Sequence, residues 1–452
     1  MIPLTEMRWI LYLFLAGTLA WAGQEGLADR AFDTVPFAEW QKDGSAGEAR
    51  IGWTLQVVPA RLTVHQRLAT VVLIDMEGSE FKKRSKPGQL VVFLEFRDRD
   101  GRAYRTHRAV TIEEERKTPY FSGIQFEQYA FVKDGDFEIA AAIYDSESKE
   151  HSLKRAKLRV PKLARDPLPD AWMDLPNLEF ADAPNPPDRW YLPHVKGRLH
   201  LPVPTQRPIH IEVLVNESPT EIATRRRERI SSRNMGNLIP ALKVITQLNL
   251  SDGSMNVTML DLERRKVSFA QEDVGRLNWP RLRSALADND PSRIDVHELE
   301  NHEQNAQFFV AEVKKRLDAT ESNGDVPLGL SADPARVLIV LSAPMAFPKG
   351  QDLRPIDAIP GSHVFYIRYG PPLGPPLPGV QMGETQGHRG PQPRGLDSSG
   401  ATPGPAPGGA AIAQDSLEAT LKPLAPRRFD VTNPAQFRNA LAAIMSEISR
   451  IK

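Results

Sequence analysis

The chain has 452 residues, with 57 basic and 57 acidic side chains and no cysteine. That length allows two or three domains, and the balanced charge gives no long-range field that would favour nucleic acid or an anionic membrane. The lack of thiols excludes disulfides, thiolate metal sites, cysteine nucleophiles and a lipid-bearing anchor cysteine.

Arg8 precedes an apolar run from Trp9 to Leu19, and Ala20-Trp21-Ala22 follows. A basic residue, a short apolar core and small residues ahead of the cut predict a signal peptide over 1–22, and so a periplasmic or secreted protein. The run is shorter than the roughly 20 apolar residues that a spanning helix needs. Retention as an uncleaved anchor is the alternative. No later segment is apolar enough to cross a bilayer, so no membrane span is expected after cleavage. A polar stretch continues to about residue 48 and is expected to be loosely ordered.

Over 49–161 the pattern is β. Trp53–Val58, Ala69–Ile74 and Leu90–Phe96 are runs rich in β-branched and aromatic residues. Asp98-Arg-Asp-Gly101 is a hairpin turn signal leading into Ala103–Thr106. Phe137–Tyr144 and Leu153–Val160 flank a second turn at Asp145–Ser148. Short strands punctuated by turns predict an all-β, immunoglobulin-like sandwich. Residues 162–208 are rich in proline and carry Trp172 and Trp190, which predicts a connector packed on a neighbouring domain.

From 209 the period changes. Ile209–Val215 is a β-branched strand, followed by Leu238, Leu242 and Ile245 at helical spacing. Val257–Leu262 and Lys266–Phe269 suggest a hairpin. Ala306, Phe309, Val313 and Leu317 form one helical stripe. Val337–Leu341 is almost wholly apolar, as a central parallel strand covered on both faces should be, and Val364–Tyr369 is the next strand. Residues 370–413 are full of Pro and Gly without periodicity and are predicted to be a disordered insertion. Order resumes at Ser416–Leu421, then Phe429–Val431. Asn433-Pro-Ala-Gln436 is a capping box opening a last helix striped by Phe437, Leu441, Ile444, Ile448 and Ile451.

Strand, helix, strand pair, helix, strand, strand, helix over 209–452 predicts a doubly wound α/β sheet. Ligands in such sheets sit at the carboxyl ends of the strands. The first strand ends in Asn216-x-Ser218-x-Thr220, and the central strand ends at Ser342. With that element order, these patterns resemble the von Willebrand factor type A domain, and the signal, sandwich and α/β layout is similar to exported proteins common in acidobacteria. The resemblance implies a metal-ion-dependent adhesion site: an Asp and two hydroxyls on the first loop, a threonine from a second loop, and an aspartate after the central strand. Ser218 and Thr220 match the hydroxyl positions. Asn216 replaces the Asp, Ser342-Ala-Pro344 lacks the carboxylate, and 288–298 has no clear threonine counterpart. Since Mg²⁺ needs oxygen ligands and negative charge, the expected site is degenerate, with Asn216 and Ser218 capping the loop. No cofactor is expected, Mg²⁺ or another divalent cation being the alternative.

Other constellations are weaker. His297-Glu-Leu-Glu-Asn-His302 puts its histidines at i and i+5, about 140° apart on a helix, not the i, i+4 of a zincin. The run Arg225–Arg229 is a basic face beside the first loop. Ser218 has no nucleophile elbow around it. The leading expectation is an exported non-enzymatic module binding a protein or cell-surface partner through a rim of Asn216, Ser218, Thr220 and Ser342. The alternatives are an envelope-associated hydrolase using Glu298, His302 or Ser218, and a structural spacer held by an uncleaved N-terminal anchor.

Overall fold

The computed structural model describes residues 29–42, 51–84, 87–112, 123–181, 196–218, 227–288, 304–318, 334–345, 347, 356–370 and 415–452; for 227–234 and 287–288 it describes backbone only. The expected signal peptide lies outside these residues, as does the Pro/Gly-rich insertion beyond Gly370. Among the described residues no helix is long and apolar enough to cross a membrane.

The fold is mixed α/β and rich in strands. The first half holds helix α1 (Phe37–Lys42), β1 (Thr54–Leu62), β2 (Leu68–Glu77), α2 (Gly78–Lys82), β3 (Gln89–Asp98), β4 (Ala103–Thr111), β5 (Gly123–Val132), β6 (Gly135–Asp145), β7 (His151–Val160) and β8 (Leu178–Phe180). The second half holds β9 (Leu201–Val203), β10 (Ile209–Asn216), α3 (Arg227–Ile245), β11 (Leu248–Leu250), β12 (Gly253–Asp261), β13 (Lys266–Gln271), α4 (Trp279–Asp288), α5 (Asn305–Leu317), β14 (Ala335–Ser342), β15 (Ser362–Tyr369), α6 (Ser416–Leu421), β16 (Arg427–Val431) and α7 (Pro434–Ile448).

Two four-stranded antiparallel sheets, β1-β2-β5-β8 and β4-β3-β6-β7, make up the first half. Alternation sets what each buries. Leu90, Val92, Leu94 and Phe96 of β3 share one core with Val72, Ile74 and Met76 of β2. Phe93 of β3 and Ala140 and Ala142 of β6 face the other way.

That outward apolar face corrects one expectation. Residues 30–42, read as loosely ordered, fold into a 3-10 turn (Arg30–Thr34) capped by Asp29, then α1. They bury Phe32, Phe37 and Trp40 on Phe93, Ala140 and Ala142. The polar composition of the stretch hid three aromatics that have an apolar surface to cover. Strand β5, which pairs along the whole length of β2, was not anticipated either. The expected connector supplies β8 to the first sheet, and β9 pairs with β11 in the second half.

The second half is built on a six-stranded sheet, β13-β12-β10-β14-β15-β16. By order of appearance its strands run 3-2-1-4-5-6, all parallel except the edge strand β13. The first and central strands pair directly, Ile209 with Ala335 and Val215 with Leu341. Both faces are covered, which explains the unbroken apolar run in β14. Ile211, Val213 and Val215 pack with Leu238 and Leu242 of α3 and Leu441 and Ile444 of α7. Leu214, Leu338 and Val340 pack with Phe309 and Val313 of α5 and Leu417 and Leu421 of α6.

Candidate functional site

Parallel pairing of β10 and β14 brings their carboxyl ends level, so Asn216 and Ser342, 126 positions apart, lie side by side. Asn216 Nδ2 donates to Ser342 Oγ at 3.0 Å and also contacts Met345 Sδ at 3.6 Å. Its Oδ1 accepts from the Ser218 N–H at 3.1 Å, closing the strand-end turn on itself. Ser218 Oγ accepts from the Leu262 N–H at 2.6 Å, tying this loop to the end of β12. Ser342 Oγ in turn donates to Ala343 O at 2.6 Å. Asn216, Ser218 and Ser342 are 3%, 3% and 0% exposed, so their polar atoms form the floor of the rim and are satisfied inside the protein. Thr220 lies outside the described residues.

A buried carboxylate completes this edge, and sequence reasoning missed it. Asp415 caps α6 by accepting from the Leu417 N–H at 3.2 Å, and Oδ1 also accepts from the Met345 N–H at 3.3 Å. The Tyr366 hydroxyl donates to Oδ2 at 2.8 Å. Arg368 stands 3.8 Å away. Burial pushes the Asp415 carboxyl above its ordinary value, against the pull of the Tyr366 and Met345 hydrogen bonds and the Arg368 charge. Tyr366 is pushed well above its own, by burial first and then by the Asp415 charge. Met345 links the two groups: its sulfur touches Asn216, and its backbone N–H and C=O bond Asp415 and Ser416. The signal available beforehand was Asp415-Ser-Leu-Glu418, a capping box opening a helix.

These groups do not fit a hard divalent cation. Asn216 turns its NH₂ group, not a carboxylate, toward Ser342, and the Ser218 and Ser342 hydroxyls are already engaged. Among the described residues no group of three or more His, Asp or Glu could hold a metal ion. Among the described residues no base meets Ser218, whose hydroxyl accepts from a backbone N–H. Glu298 and His302, invoked for the hydrolase alternative, lie outside the described residues. So do Arg225 and Arg226, while Arg227 and Arg229 are described by backbone only.

No family model and no curated protein matches the chain. Among solved structures, a structural-genomics target is similar at 12% identity and a TM-score of 0.17, over 26% of this chain and 94% of that one. The ApaA protein from Bordetella pertussis is similar at 11% identity and a TM-score of 0.16, over 25% of this chain and 97% of that one. A glycosyl hydrolase family 2 member from Bacteroides cellulosilyticus is similar at 7% identity and a TM-score of 0.17, over 71% of this chain and 41% of that one. Likenesses this slight show neither the fold nor an activity of the chain.

Proposed function

We propose that the chain is an exported interaction module that binds a protein or cell-surface partner through the rim at the carboxyl ends of β10, β12 and β14. Its second half is taken as a von Willebrand factor type A-like domain with a degenerate metal site, and its first as an immunoglobulin-like sandwich. The observation that carries this proposal is the Asn216–Ser342 hydrogen bond at the ends of adjacent parallel strands, in a sheet of order 3-2-1-4-5-6. A rim whose polar floor is internally bonded suits a rigid docking surface that needs no ion. The contacts themselves would come from neighbours that reach solvent at the same edge, among them half-buried Pro344 and exposed Lys266 at the start of β13.

The test is site-specific photo-crosslinking on the full chain, in the presence of a chelator. Crosslinkers at Pro344 and Lys266 are expected to trap an envelope or surface protein, while one at Gln206, exposed at the opposite edge of the sheet, does not. Equal trapping from both edges, or none from the rim, would remove the proposal.

A further inference from the structure

At the opposite, amino-terminal edge of the six-stranded sheet, three side chains fall into one line. His210 on β10 and Ser254 on β12 are register partners, and Glu212 follows His210 on the same face of its strand. Ser254 Oγ lies 2.7 Å from His210 Nδ1, and His210 Nε2 lies 2.9 Å from Glu212 Oε1.

The surrounding groups anchor the carboxylate. Asn256 Nδ2 donates to Glu212 Oε1 at 2.7 Å while its Oδ1 accepts from the Asp273 N–H at 3.1 Å, which fixes the amide. Arg316 Nε of α5 stands 3.9 Å from Glu212 Oε2. In the tautomer with the ring proton on Nε2, that proton meets Glu212 Oε1, with Asn256 Nδ2 also 3.3 Å from Nε2, and the Nδ1 lone pair faces the Ser254 hydroxyl. A histidine needing only structural satisfaction could take any donor and acceptor. Here it has a hydroxyl on one side and an anchored carboxylate on the other, the order of groups in an activated serine. Ser254 and His210 are both half-buried, so the hydroxyl is within reach of solvent.

We propose that Ser254 is a base-activated nucleophile, with His210 as its general base and Glu212 as the positioning residue. The ligand class is a compact acyl or phosphonyl donor that carries its own leaving group. With an alkyl fluorophosphonate, Ser254 Oγ forms the O–P bond, the P–F bond breaks, the hydroxyl proton passes to His210 Nδ1 and fluoride leaves. With an aryl ester, the O–C bond forms and phenolate leaves. Water then cleaves the acyl-serine, returning its proton through the same imidazole. This site lies at the edge opposite the rim, so it stands or falls separately from the proposed docking function.

The experiment treats the full chain with an alkyl fluorophosphonate and maps the adduct by peptide mass spectrometry. One adduct per chain is expected, on Ser254, and none in Ser254→Ala. The labelling rate is expected to fall roughly 100-fold in His210→Gln, the size of a general-base contribution. Glu212→Gln should slow labelling, and the conservative Glu212→Asp should recover part of the rate, a rescue that mere structural damage would not produce. Ser254→Cys should alkylate with iodoacetamide at a rate that also depends on His210. Absence of an adduct on Ser254 in the folded wild-type chain, or a rate indifferent to His210→Gln, overturns the proposal.

Discussion

Arg438 on α7 and Asp166, 272 positions apart, form a two-pronged ion pair, Nε to Oδ1 at 2.6 Å and Nη2 to Oδ2 at 2.8 Å. The same guanidinium donates to Leu168 O at 2.7 Å and stands 4.8 Å from the centre of the Trp172 ring. Trp172 Nε1 donates to Gln66 O at 2.7 Å, and Gln66 Nε2 reaches Pro434 O at 3.1 Å. One buried arginine therefore joins the α/β half to the strands of the first half. Arg438→Met would leave the Asp166 carboxylate largely buried without its cation, and is expected to cost about 3 kcal/mol in denaturant unfolding.

The same pair sets a pH dependence. Burial raises the Asp166 pKa, but the hydrogen bonds from Arg438 and the Leu168 N–H outweigh it and hold the carboxyl below its ordinary value of 3.8. A depressed folded value stabilises the protein above the unfolded pKa, and that contribution is lost as pH falls through the folded one. Wild type is therefore expected to exceed Asp166→Asn in stability at neutral pH and to lose that margin below about pH 4, read as paired melting curves.

Asp415 is expected to behave in the opposite sense. Burial raises its folded pKa above the ordinary 3.8. Its stabilisation is complete below the unfolded pKa and fades as pH rises through the folded value. The stability of Asp415→Asn relative to wild type should accordingly improve as pH rises above about 4. A flat difference over that range would show that the carboxylate is better solvated than its contacts indicate.

Trp40 tests the N-terminal cover. Its ring stacks on His151 with centroids 4.2 Å apart and meets Phe93 edge-on at 6.3 Å. Trp40→Ala is expected to cost about 3 kcal/mol or more, as for buried aromatic truncations generally. Limited proteolysis should then cut within 29–42 before the strands of the first half are attacked.

Elements with a continuous local pattern were legible in the sequence. The Ala306–Phe309–Val313–Leu317 stripe forms the buried face of α5, and Asn433 caps α7 by accepting from the Gln436 N–H at 3.0 Å. The apolar run of β14 reported its own burial on two sides. What escaped depends on partners far along the chain. In β5 the polar Gln125, Glu127 and Gln128 interrupt the apolar run, and its pairing with β2 makes it a strand. Phe32 and Trp40 are ordered by a sheet face more than 50 positions on. Asp415 meets Tyr366 across 49 positions and Met345 across 70. Ser254 meets His210 across 44. At the rim, the motif pointed to Asn216, Ser218 and Ser342, while their mutual bonding came from the parallel register of three strands.

The central claim is that, among the described residues of the rim, Asn216, Ser218 and Ser342 spend their polar atoms on one another and on the backbone of Leu262 and Ala343, an arrangement that does not fit a cation. Titration calorimetry of the full chain with Mg²⁺, Mn²⁺ and Ca²⁺ tests it most directly. No binding heat is expected from any of the three, in wild type or in Ser218→Ala. Micromolar binding in wild type that disappears in Ser218→Ala would contradict the claim.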